Sequence, residues 1–116
     1  MAEDVRIAAR VQRGARWLDE NRPGWVGDID LITLDVHDPE HCVVGQLYGG
    51  WDESPFYPAE PADPKAVDLG FFALAEIEAR GSGAMQAEYR LLTEAWGDLI
   101  ERRIAERIAA EVTGDA

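Results

Sequence analysis

The sequence predicts an all-α fold: one small domain (1–116) of four to five helices around a short central helix at 38–49, with a long C-terminal helix. Three observations predict it. Apolar residues recur at helical spacing over 4–21, and they do so again over 84–112. Between them, the stretch DPEHCVVGQLYGG (38–50) carries helix signals at both ends. A chain of 116 residues buries roughly two-thirds of its unfolded surface on folding, which suits a single core.

In the first helix, 4–21, Ile7, Val11, Gly14 and Leu18 share one face, widened by Ala8 and Ala15. Arg6, Arg10, Arg13 and Trp17 take the opposite side, a pairing of aromatic ring and guanidinium favoured at binding hot spots. The blander reading folds Trp17 onto the Pro23-Gly24-Trp25 turn beneath arginine stems, and it is the commoner circumstance for an isolated aromatic. Pro23-Gly24 ends the helix. The next run, WVGDIDLITLD (25–35), is a short helix or an extended segment anchored by Ile29, Leu31 and Leu34. Periodicity does not decide over so few residues.

The central helix is the hub. Asp38 is placed to cap it, Pro39 suits its first position and Gly49-Gly50 supply a left-handed end. Val43, Val44, Leu47 and Tyr48 make one apolar face. Cys42, Gly45 and Gly49 make a second face nearly free of side chains, where another element is expected to approach closely. With both faces buried, the Gln46 amide needs partners, and a tie to neighbouring backbone is expected. A proline-rich acidic loop follows at 51–63, holding Asp52, Glu53, Glu60 and Asp63, with Phe56 and Tyr57 pinning it to the body.

Asp63-Pro64 repeats the cap-plus-proline signal, and Val67, Phe71, Leu74 and Ile77 follow at helical spacing, with a break expected at Gly70. Gly81-Ser82-Gly83 is a turn, with Ser82 as the expected cap of the last helix. Met85, Tyr89, Leu92, Trp96, Leu99 and Ile100 form the core face of that helix. Beyond it the apolar stripe drifts through Ile104, Ile108 and Val112, while Arg103 and Arg107 take the old face. Residues 113–116 are expected to fray.

Charge excludes one class of function. The net charge is −12, and residues 23–63 hold nine acids and no Lys or Arg. Phosphate binding needs concentrated positive surface, so direct nucleic-acid binding is not expected. No apolar run approaches 18 residues, so no membrane span is expected. One cysteine forms no internal disulfide, and the N-terminus has no signal-like apolar core. Together these predict a cytoplasmic protein.

The chemical candidates cluster at Asp28, Asp30, Asp35, His37, Asp38, Glu40, His41 and Cys42. Cys42 near a helix start is a nucleophile candidate, but His41 points about 100° away from it. A metal would need His37, His41 and Cys42 to converge, and the spacing does not encode that. No phosphate-binding loop accompanies the glycines. Neither a catalytic residue, a metal nor a cofactor is therefore expected.

The runs RGARWLDENRPGW (13–25), IDLITLD (29–35), CVVGQLYG (42–49), LGF (69–71) and YRLLTEAW (89–96) resemble small proteins of actinobacteria and their phages. That resemblance stops near Ile100. It implies an accessory role, binding a host protein, and carries over no catalytic residue. The expected function is thus a non-catalytic protein-binding factor of phage or mobile-element origin. Its candidate surfaces are Arg6, Arg10, Arg13 and Trp17, the acids Asp52, Glu53 and Glu60, and the stripe Ile104, Ile108 and Val112. Homodimerisation through the last helix is one expected use of that stripe. Alternatives are an acidic DNA mimic and, less favoured, a Cys/His enzyme or metal protein.

Overall fold

Two long helices frame the molecule in a computed structural model. The structure describes residues 2–56, 64–78 and 81–114, and no strand occurs among them. Helix α1 (Ala2–Asn21) buries Ile7, Val11, Ala15 and Leu18. Between it and the C-terminal helix come α2 (Val43–Tyr48), α3 (Pro64–Asp68) and α4 (Leu74–Ile77). Helix α5 (Ser82–Gly114) sets Leu92, Trp96, Leu99 and Ile100 into the same core. Each such side chain contributes about 1.5–3 kcal/mol on burial, so the α1–α5 seam is the main source of stability.

A backbone crossing fixes how closely α1 meets the middle of the chain. A Cβ at Gly14 would lie 2.0 Å from the Leu69 carbonyl oxygen and 2.8 Å from the Trp96 ring. Gly70 takes φ 77° and lies against the backbone of Arg10 and Val11. The predicted break at Gly70 is therefore a turn between α3 and α4, and its left-handed φ suits glycine. Trp96 donates its indole N–H to the Gly70 carbonyl at 2.8 Å, and Phe71 stacks on Trp96 at 5.4 Å.

The hub differs from expectation at its start. The helix runs only over Val43–Tyr48, and Cys42 is its cap, extended at ψ 170° with Sγ accepting the Gly45 N–H at 3.2 Å. Asp38 instead closes a tight turn: its carboxylate accepts the Glu40 N–H, and its carbonyl accepts the N–H groups of His41 and Cys42. The smooth face is filled by that turn and not by a separate helix. A Cβ at Gly45 would sit 2.2 Å from the Pro39 carbonyl oxygen, which also accepts the Trp51 N–H at 2.8 Å. Gly49 supplies the left-handed end at φ 86°. Val43, Val44 and Leu47 are buried as expected.

The open question at 25–35 resolves into a single 3₁₀ turn at Trp25–Asp28 followed by turns. Its main anchor is Trp25, 1% exposed, with Leu34 also buried and Ile29 and Leu31 half-buried. A second 3₁₀ turn, Trp51–Glu53, leads to buried Phe56. Tyr57, Glu60 and the Asp63 cap lie outside the described residues. Ser82 is the first residue of α5, not its cap; Gly81 precedes it at φ 97°. No helix among the described residues is long and apolar enough to cross a membrane.

Candidate functional site

The structure separates the chemical candidates instead of gathering them. Cys42 is 2% exposed, and burial pushes its thiol up to about 11 despite the Gly45 N–H directed at it. Such a sulfur stays protonated near neutral pH, caps a helix and is a poor nucleophile. His41 turns instead to Asp38, with Nδ1 2.9 Å from the carboxylate. That hydrogen bond raises the imidazole pKa, while the Glu40 N–H first and His41 second lower that of Asp38. Among the described residues no three His, Cys, Asp or Glu side chains are gathered as a metal would need. Gln46 makes the expected tie: its amide accepts the Asp30 N–H at 2.6 Å and donates to the carbonyls of Asp30 and His41.

The arginine face of α1 is mostly not a free surface. The Arg10 side chain is 12% exposed; it pairs with Glu88 at 3.0 Å and donates to the carbonyls of Val67 and Phe72. Arg13 pairs with Asp68 at the α3 end, and Arg6 is exposed. Trp17 packs neither in solvent nor on the 23–25 turn. It meets Phe56 at 5.2 Å and Phe71 at 6.2 Å, with Lys65 over its ring. The physical reason is that the α3–α4 segment folds across α1 beside α5, so Gly14 meets Leu69 and Trp96 together and Arg10 reaches Val67, Phe72 and Glu88. Asp52 and Glu53 remain exposed, as do Asp28, Asp30, Asp35 and Glu40.

Helix α5 outruns the body. Its last described side-chain hydrogen bonds to another element are those of Arg103 to Asp19, at 2.7 and 3.1 Å. Past that point Ile104 is 37% and Ile108 56% exposed. The molecule measures 54 Å along its longest axis against 33 and 23 Å across, because this helix of 33 residues projects. The side chain of Val112, third of the expected stripe, is outside the described set.

One constellation was not singled out from the sequence. A cleft of about 220 Å³ is lined by His37, Trp51, Phe72, Glu76 and Tyr89, with Val36, Pro39, Cys42 and Phe71 completing its wall. The Tyr89 hydroxyl donates to the Glu76 carboxylate, and His37 stacks on the Tyr89 ring at 4.4 Å. Burial foremost, and then Glu76, raise the Tyr89 pKa, so the phenol keeps its proton. Trp51 and Phe72 are half-buried with ring centroids 5.7 Å apart, and Phe72 meets Tyr89 edge-on at 6.2 Å.

No protein-family model matches the sequence, and neither curated proteins nor solved structures yield a match.

Proposed function

We propose that the chain is a non-catalytic protein-binding factor whose binding element is the projecting end of α5, and that a second copy is its first occupant. The observation that carries this is the exposure of Ile104 and Ile108 beyond the Arg103–Asp19 contact. Aliphatic residues at this spacing on a free amphipathic helix lose water contact when paired with a like surface. Ala105 and Ala109 adjoin the stripe and let a second backbone approach. Arg107 and Glu111, one turn apart on its flank, form an intrahelical pair at 3.7 Å. In an antiparallel two-fold arrangement each meets the opposite charge of the other copy. The resemblance to actinobacterial and phage proteins adds an accessory role on a host protein to this reading.

Light scattering of the full chain and of an Ile104→Asp/Ile108→Asp variant tests it. The expected result is a dimer mass for the first and a monomer mass for the second, with a cooperative melt retained by the variant and a melting temperature that rises with concentration only for the full chain. A full chain that stays monomeric at high concentration overturns self-pairing.

A further inference from the structure

We propose that the cleft beside Tyr89 binds a small quaternary ammonium cation of the choline type. Four aromatic rings besides His37 line it: Trp51 and Phe72, both reached by solvent, with Phe71 and Tyr89 buried behind them. Ring faces attract a cation within about 6 Å of their centroids, and a group of them makes the cage that methylated ammonium ions fit. Glu76 sets a carboxylate at the exposed side of the same cleft, held in place by the Tyr89 hydroxyl.

The lining discriminates among ligand charges. No Lys or Arg lines the cleft, and Glu76 would repel a carboxylate or phosphate, which argues against an anion. A neutral apolar ligand gains nothing from Glu76. A primary ammonium must place three N–H donors, yet the side-chain acceptors are the Glu76 carboxylate, already engaged with Tyr89, and the His37 ring. A trimethylammonium group has no N–H to satisfy and presents methyl groups to the rings. At about 220 Å³ the cleft is below the roughly 300–1,000 Å³ of drug-sized sites, so the ligand is small. The excess negative charge of the chain, −12, favours the encounter.

Titration of isotope-labelled protein with choline chloride at constant ionic strength, followed by NMR, tests the site. The expected result is saturable shifts at the Trp51 indole and the Phe72 and Glu76 amides. The neutral isostere 3,3-dimethyl-1-butanol should bind about tenfold more weakly, since it has the shape without the charge. Glu76→Gln keeps an acceptor for Tyr89, so it should fold normally. It should weaken choline severalfold and leave the alcohol unchanged. Absence of saturable shifts, equal affinity for the two ligands, or an unaltered choline affinity in folded Glu76→Gln would each overturn the proposal.

Discussion

Arg103 grips Asp19 through two guanidinium nitrogens, at 2.7 and 3.1 Å, from opposite ends of the chain. The same carboxylate accepts the Trp25 indole N–H at 2.9 Å, and the Arg103 guanidinium lies 5.8 Å from the Trp25 ring centroid. One acid thus ties α1, the 25–28 turn and α5 together where α5 leaves the body.

Asp19→Asn keeps an acceptor for Trp25 but removes the charge. With side chains 33% and 44% exposed, solvent screens the pair, and the expected loss is about 0.5–1 kcal/mol. The Asp19 pKa is lowered, chiefly by the hydrogen bond from Arg103. Its contribution is therefore present above the unfolded value of about 3.9 and is lost as pH falls through the lower folded value. Urea denaturation at neutral pH and again near pH 2 should show the wild-type advantage shrinking in acid.

Glu88 holds more of the structure than any surface acid. It pairs with Arg10 at 3.0 Å and accepts the N–H groups of Leu74 and Ala75 at 2.5 and 2.8 Å, so it caps α4 from a neighbouring helix. Both side chains of the pair are nearly buried, at 12% and 13% exposed. Glu88→Ala leaves Arg10 unpaired and two N–H groups open, and should cost about 3–5 kcal/mol. Glu88→Gln retains acceptor capacity and should cost less. Denaturant midpoints rank the two variants.

The glycines divide by what surrounds them. Gly14→Ala and Gly45→Ala place a methyl against backbone oxygens, at 2.0 and 2.2 Å, and each should destabilise by about 1–3 kcal/mol. Gly97, in α5, has nothing within 4 Å of an added Cβ. Gly97→Ala should therefore stabilise by roughly 0.4–1 kcal/mol. Thermal melts of the three variants check the contrast in sign.

His41 should titrate above the ordinary imidazole value, and Asp38→Asn should bring it down, because the Asp38 hydrogen bond is the largest cause of the shift. Its stabilisation is complete below the unfolded value, about 6.5, and disappears as pH rises through the higher folded value. Following the imidazole carbon-bound protons by NMR separates His41 from His37.

Legibility in the sequence followed periodicity. Ile7, Val11, Leu18, Leu92, Trp96 and Ile100 repeat over enough turns to declare their faces, and all are buried. The Gln46 tie was readable from its place on a helix expected to be buried on two faces, and the amide makes it while only half-buried. Arg10 and Trp17 were not, since a helical period marks the face turned to one neighbour and is silent about a second layer. The Asp38-Pro39 signal misplaced the helix start for a different reason. A carboxylate that can cap a helix can equally close a tight turn, and here it serves Glu40 and His41. The cleft at Tyr89 draws on residues 36 to 89, which no local pattern joins.

The seam between α1 and α5 also dictates an order of events during synthesis. The face formed by Ile7, Val11, Ala15 and Leu18 is complete early, yet Leu92, Trp96 and Ile100 emerge only after most of the chain. At about 5–20 residues per second, roughly eighty residues of delay amount to about 4–16 s on the ribosome. Through that interval the amphipathic N-terminal segment lacks the cover of α5. Nascent chains arrested before Trp96 should accordingly engage chaperones, and those arrested after the C-terminal helix has cleared the exit tunnel should not.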